Sequence, residues 1–408
     1  MLTSTSENGR ATELQVQIDD VYACLGLCSG CVLTADERKG KSPDMPDDIL
    51  DLAIARLTDH AAAMRPLKRV NVTFAIADHI LMGADYMKRI HALGARIVRA
   101  GEPASMEYSG VFFTTSLVGK PARVMEMLKD VRESIEDDVP FIPLVVLDGR
   151  VVNATKFGAQ WKEMVLYAKE LFGKVDLNTN LSVEACGSMS PEELLSFAAD
   201  NGFDDVTVNW TPTLANADAT LSDNLAMSKW LLEFDDLVRA RGDITTGYGQ
   251  YLDRVVENAI RDRGGDGASG MADYVKAVVP ETIRKSIEID HRGNLLAKFE
   301  AVGDIPHSPR HGQPTLGHIT EGSVDELLER SKARMVMSVV QQHARGACVG
   351  CQYNAVCAVT GFHISTAVAR KTGRREDGGE CPHVARDLIR AAYLRRFALV
   401  ALGPLPSP

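Results

Sequence analysis

Cys24, Cys28 and Cys31 stand at C-x3-C-x2-C spacing in one short stretch. Three thiols so spaced fit on a single loop and can converge on one metal centre. A structural zinc or a closed iron–sulfur cluster takes four protein ligands, and no fourth follows nearby. Three thiolates on a four-iron cluster leave one iron open to a small molecule. A second group, Cys348, Cys351 and Cys357 with Cys381 beyond, supplies four thiolates. That number encloses a metal centre completely, either a zinc ion or a cluster. Cys186 stands alone. Its thiol can give a hydrogen atom to a carbon radical, attack as a thiolate, or serve as a small buried apolar group.

These groups need a scaffold, and the chain from Leu14 to about Thr213 alternates strand-like and helix-like runs. Strands are expected at 14–22, 69–76, 108–115, 140–147, 177–185 and 205–211, with helices at 47–65, 84–94, 120–136, 156–172 and 191–201. Asp47 and Asp48 suit a helix start, and Ile49, Leu52, Ala53 and Leu57 repeat at helical spacing. Ser190, Pro191 and Glu193 form a capping-box signature. Strands alternating with helices imply a parallel sheet with right-handed crossovers, either a partial barrel or an open doubly wound sheet. The first cysteine group falls just after the first strand, at the carboxyl end where such folds place their chemistry. Residues 214–285 read as a helical bridge, with Leu221, Leu225 and Leu232 on one stripe. From Ser286 the style changes to a hairpin turning at His291–Asn294, followed by a helix from about Val324.

Bulk properties narrow the class. With 408 residues and 45% apolar content, the chain can bury a large core. A net charge of −10 argues against a broad nucleic-acid surface. No run has the length of a membrane span, and the first residues lack the basic start and apolar core of a signal peptide. A cytoplasmic location is expected, where eight cysteines serve as metal ligands or reactive thiols rather than disulfides.

The three-cysteine loop after strand one resembles the signature of the radical S-adenosylmethionine (radical SAM) superfamily, with Gly30 where that family often has an aromatic. The resemblance implies a (β/α)6 partial TIM-like barrel over 14–213, preceded by a lead at 1–13. It implies a [4Fe–4S] cluster on Cys24, Cys28 and Cys31, with SAM on the open iron. It also implies an external one-electron donor such as flavodoxin or ferredoxin, and radical chemistry that starts by abstracting a hydrogen atom from the substrate. Asp78 matches the Glu of the family's Gly-Gly-Glu-Pro, which holds the SAM amino group; Ile76 and Ala77 replace the glycines. Thr114, Thr115 and Ser116 lie where relatives carry a polar turn near SAM, and Asp148 and Asn209, at or near other strand ends, are further SAM candidates. Glu184 and Trp210 are additional cavity candidates.

Residues 286–408 resemble the SPASM extension of these enzymes, an iron–sulfur domain of the SPASM/twitch kind that normally holds two auxiliary clusters. Gly361 occupies one Cys position of that pattern, and Ala-Lys-Phe-Glu-Ala-Val, directly after Leu295–Leu296, has no Cys. The resemblance therefore implies one auxiliary [4Fe–4S] cluster on Cys348, Cys351, Cys357 and Cys381, and two clusters in all. His307, His311 and His318 fall where the lost ligands would be. Only about a dozen residues precede strand one, with no room for a fused peptide-recognition domain. The expected substrate is thus a small natural-product precursor (sugar, nucleoside or amino-acid derivative), with a ribosomally made precursor peptide as the alternative. A non-enzymatic zinc or redox protein would explain the four-thiol group but not the three-thiol loop.

Overall fold

The computed structural model describes residues 13–22, 24, 44–135, 138–148, 153, 157–203, 205–209, 220–244, 253, 256, 284–297, 315–343 and 386–402. Six parallel strands, β1 (Glu13–Ile18), β2 (Arg69–Phe74), β3 (Gly110–Thr115), β4 (Phe141–Val146), β5 (Asp176–Asn180) and β6 (Val206–Asn209), lie side by side in sequence order. Helices α1 (Asp47–Met64), α2 (Ala84–Ala100), α3 (Pro121–Ser134), α4 (Phe157–Phe172), α5 (Val183–Ser188) and α6 (Pro191–Asp200) occupy the crossovers. An order that never reverses has no switch point. With crossovers of one hand, every helix falls on one face, so the doubly wound alternative does not apply.

The strand sequences explain this one-sided cover. Leu14, Val16 and Ile18 of β1, Val70, Val72 and Phe74 of β2, and Val111 and Phe113 of β3 face the helices and join one apolar core. The core continues through Val145, Leu177, Val206 and Val208 into a second cluster with α4 and α6. The intervening positions, which strand geometry sends to the other face, include Gln15, Gln17, Asn71, Thr73 and Asn178. A doubly wound sheet is apolar on both faces; here the second face is mixed, polar and buried at Glu13, Gln15, Asn71, Asn178 and Glu288 but apolar at Phe112 and Ile142 in the middle strands.

Four local features depart from the sequence reading. Helix α2 runs on to Ala100 instead of stopping at Gly94. Gly94 is a contact point: a Cβ there would sit 2.8 Å from both methyls of Val111 and 3.3 Å from the Phe74 ring. Strand β5 ends at Asn180, and Ser182 then caps α5 by accepting from the Ala185 N–H at 3.0 Å. The bridge contains α7 (Leu221–Arg241), whose buried stripe is Met227, Leu231 and Phe234, one step round from the Leu225–Leu232 stripe expected. Last, the hairpin of β7 (Ser286–Ile289) and β8 (Asn294–Ala297) continues the sheet: β7 pairs in parallel with β1, and β9 (Thr315–His318) pairs antiparallel with β8. Helices α8 (Val324–His343) and α9 (Arg386–Leu402) complete the described elements. The capping box at Ser190 forms as expected, with Glu193 accepting from the Ser190 N–H at 2.7 Å.

Candidate functional site

Strand β1 leads directly into Asp19, Asp20, Tyr22 and Cys24. Its exit is fixed on three sides. The Asp19 N–H donates to Ile289 O at 3.0 Å, the Ala75 N–H donates to Ile18 O at 3.0 Å, and the Met45 N–H donates to Asp20 O at 2.7 Å. Tyr22 is fully buried, with its hydroxyl 2.7 Å from His291 Nδ1 and the two rings edge to face at 4.6 Å. Cys24 is half-buried at the start of the expected cluster loop. Cys28, Cys31, Cys348, Cys351, Cys357, Cys381, His307, His311 and Trp210 lie outside the described residues, as does the side chain of Asn209.

The next strand end carries Asp78, 1% exposed. Thr115 donates its hydroxyl to Asp78 Oδ1 at 2.7 Å, and Ser116 donates to Oδ2. Both hydroxyls are set in that direction because each also accepts a backbone N–H two residues on, from Leu117 at 3.2 Å and Val118 at 3.3 Å. Trp161 of α4 holds the same turn by donating its indole N–H to Ser116 O at 3.2 Å. Burial pushes the Asp78 carboxyl above its ordinary range, against the opposing pull of the Ser116 and Thr115 hydrogen bonds and of His79. Among the described residues no lysine or arginine pairs with it. A desolvated carboxylate in that position fits a cationic ligand group.

Ile76, at the first glycine position of the resembled motif, has φ of 86°. That is glycine territory, and a β-branched residue held there carries strain on the order of 1–3 kcal/mol.

Beside Asp78, His79 is wholly buried. Its Nε2 lies 2.9 Å from Asp20 Oδ1 and its Nδ1 lies 3.2 Å from Thr114 Oγ1. The Thr114 hydroxyl donates to Ala77 O at 2.6 Å. Tyr86, from the first turn of α2, donates its hydroxyl to Asp20 Oδ2. Burial first, and the Asp20 carboxylate second, raise the Tyr86 phenol well above its ordinary range, so it remains a donor.

Of the other expected residues, Thr114 and Ser116 belong to this group through the bonds just given, and Asp148 is buried just beyond the end of β4. Cys186 sits on α5 rather than at a strand end, packed against the apolar cluster of α4 and α6. Burial pushes its thiol up to about 12, which removes the thiolate form at neutral pH. Glu184, on the same short helix, is exposed. His318 is spent on the hairpin, 2.5 Å from Arg292 O and 2.7 Å from Thr320 Oγ1. Asp20, His79 and Tyr86 were not singled out by spacing. Only the position of His79 next to Asp78, and of Asp20 just past the alternating β1, hinted at them.

No protein-family model matches the chain, and no curated protein matches it. Solved structures do. The chain is similar to an anaerobic sulfatase-maturating enzyme, hexahistidine-tagged anSMEcpe with bound AdoMet, with a TM-score of 0.57 and 12% identity over 96% of each chain. Native anSMEcpe with bound AdoMet matches at 0.56 and 12%, over 96% of this chain and 100% of that one. Native anSMEcpe with bound AdoMet and the Cp18Cys peptide matches at 0.54 and 12%, over 95% of this chain and 98% of that one. At 12% identity the likeness is one of fold: the α/β architecture built on a parallel sheet is shared with the AdoMet-bound sulfatase-maturating structures.

Proposed function

We propose that this chain is a radical SAM enzyme that modifies a peptide or protein segment. The observation that carries the reading is Asp78: a buried carboxylate held by two hydroxyls and lacking a described cationic partner, one strand away from the exit that bears Cys24. Asp78 would take the ammonium group of SAM, with Thr115 and Ser116 fixing its two oxygens. Cys24, Cys28 and Cys31 would ligate the [4Fe–4S] cluster that receives SAM, and Asp148 and Asn209 would serve the nucleoside. When bound, the pair supplies a 5′-deoxyadenosyl radical for hydrogen-atom abstraction. Buried polar groups on the second face of the sheet, Gln15, Asn71 and Asn178 among them, suit a substrate with hydrogen-bonding groups. Residues 14–213 would form the partial barrel and 286–408 a SPASM-like region, with Cys348, Cys351, Cys357 and Cys381 holding one auxiliary cluster. Cys186, expected as a hydrogen-atom donor at a strand end, lies instead on α5 against the helix-side apolar cluster, which favours a packing role.

The small-molecule substrate expected from the sequence gives way to the peptide alternative. Support comes from the similar solved structures, two of which hold a bound peptide, Cp18Cys or Kp18Cys. Anaerobic reconstitution with iron counting and EPR of the reduced protein, with and without SAM, tests the cofactor reading. About eight irons per chain, falling to about four in a Cys24/Cys28/Cys31 triple-Ala variant, is the expected result. An EPR spectrum indifferent to SAM, or zinc in place of iron, overturns it. Deuterium transfer from deuterated peptides into 5′-deoxyadenosine tests the substrate class, and transfer only from small metabolites would reinstate the earlier expectation.

A further inference from the structure

Polar side chains on the seam between β1 and β7 are buried without partners from the protein. The two strands run in parallel, with Gln15 opposite Ser286 and Gln17 opposite Glu288. Val16, Ile18, Ile287 and Ile289 turn into the helix-side core, so Gln15, Gln17, Ser286 and Glu288 share the second face. Gln15, Ser286 and Glu288 are 8%, 4% and 3% exposed. Among the described residues, Gln15 Nε2 has no hydrogen-bond partner, and neither Ser286 nor Glu288 makes a side-chain hydrogen bond or ion pair. Neighbours that could have served are engaged elsewhere. The Gln17 amide donates to Asp19 Oδ1 at 3.0 Å, and Arg69 of β2 donates to Glu13 Oε2 at 2.8 Å. Buried polar groups without partners are costly and uncommon in folded proteins. A donor and an acceptor left open on one seam therefore point to a ligand that completes it.

The same face opens toward the carboxyl ends of the strands. Gln15, Asn71 and Phe112 are buried, whereas the next positions along, Gln17, Thr73 and Thr114, are half-buried. The Arg69–Glu13 pair lies at the opposite, amino-terminal end. A ligand reaching the seam thus enters from the side that bears Cys24 and Asp78. We infer that Gln15 and Glu288 form a substrate subsite for an amide, either a peptide unit or a side-chain carboxamide. The amide N–H donates to Glu288, and its C=O accepts from Gln15 Nε2. An amide carries one donor group and one acceptor, the complement of this pair, and Glu288 presents an acceptor oxygen whether or not it holds a proton. With strands about 4.8 Å apart and a two-residue step of about 6.6 Å, the two Cα atoms stand roughly 8 Å apart. Side chains of this length can converge on one small group. The inference deepens the peptide-modifying reading and rests on it for the source of the amide, but not for the subsite itself. A segment anchored here lies against the strand that leads into Cys24, where the proposed hydrogen abstraction needs it.

The test uses full-length reconstituted protein and three small probes, with binding read by saturation-transfer NMR. N-methylbutanamide carries one amide, methyl butanoate keeps the carbonyl but lacks the N–H, and butylammonium carries a cation alone. The parent is expected to take the amide in clear preference to the other two. Glu288→Leu and Gln15→Leu should each weaken the amide roughly five-fold or more, whereas Glu288→Gln, which keeps an acceptor oxygen, should weaken it by less than about two-fold. Equal uptake of amide and ester, a preference for butylammonium, or no amide binding by the parent overturns the inference. Urea unfolding gives a second readout. Leucine at 288 removes a polar group that lacks a partner in the free protein, so the midpoint should stay level or rise. A lowered midpoint would mean that Glu288 pairs within the chain, and it sinks the subsite. If Glu288→Leu does not fold, Gln15→Leu and Glu288→Gln decide the matter by amide binding. Amide binding that these variants abolish, in a protein whose EPR spectrum ignores SAM, would refute the radical reading and leave the subsite standing. Deuterium transfer from peptides without amide binding at the seam would do the reverse.

Discussion

Asp176 offers a direct measure of how far the polar face of the sheet is withdrawn from water. It opens β5 and is 3% exposed, on the same face as Asn178, and its Oδ1 has no hydrogen-bond partner among the described residues. Burial, reinforced by the charge of Asp205, pushes its carboxyl from 3.8 up to about 7, with Lys174 and Arg69 pulling the other way. The sign follows from proton counting. Between pH 4 and pH 7 the folded protein holds this proton and the unfolded chain does not, so folding is favoured at the acid end. That advantage is lost as pH rises through about 7. Asp176→Asn has no such proton to lose. Relative to the parent, the variant should gain about 3 kcal/mol of stability on going from pH 5 to pH 8, taking about 1.4 kcal/mol per unit over the two units between pH 5 and 7. Any packing or hydrogen-bond penalty of the asparagine is the same at both pH values and cancels in the comparison. Urea unfolding of both proteins at the two pH values, at equal iron content, measures it. A stability difference that does not change with pH would refute the reasoning, because Asp176 would then be as well solvated folded as unfolded.

Two further outcomes are expected. Gly94→Ala should cost about 1–3 kcal/mol, read as a lowered urea midpoint, because the new methyl would meet Val111 at 2.8 Å; an unchanged midpoint would mean that α2 can lift from the sheet at no cost. Native protein treated with iodoacetamide at pH 8 should leave Cys186 unmodified in peptide mass maps, since its thiol sits at about 12; rapid labelling would show an accessible thiolate.

The sequence made some of this legible for clear reasons. Capping at Ser190 depends on residues three apart, and local spacing found it. The single covered face was also present in the alternation of Gln15, Val16, Gln17 and Ile18, which a two-sided sheet would not tolerate, although periodicity had been left open between two architectures. What stayed hidden was long-range. Gly94 read as a helix stop because its partner Val111 is on another element. Strand five was drawn through Glu184 because the Ser182 cap that starts a helix lies inside an apolar run. The side chains around His79 come from β1, β3 and α2, and no spacing rule joins them. Asp78 was visible through its motif position. Its two hydroxyl partners, Thr115 and Ser116, were visible as a polar strand end, but their bonds to Asp78 were not.

The pairing of β1 with both β2 and β7 also bears on how the protein is made. Residues Gln15–Ile18 find one neighbour early in the chain and the other at Ser286–Ile289, much later. During synthesis, therefore, the strand that leads into Cys24 has an open edge until most of the polypeptide has left the ribosome. Its exit gains the Ile289 and His291 contacts only after that. Non-local pairing of this kind is slow, and an unpaired edge is prone to association with other chains. Expression conditions that slow aggregation should therefore raise the yield of folded protein.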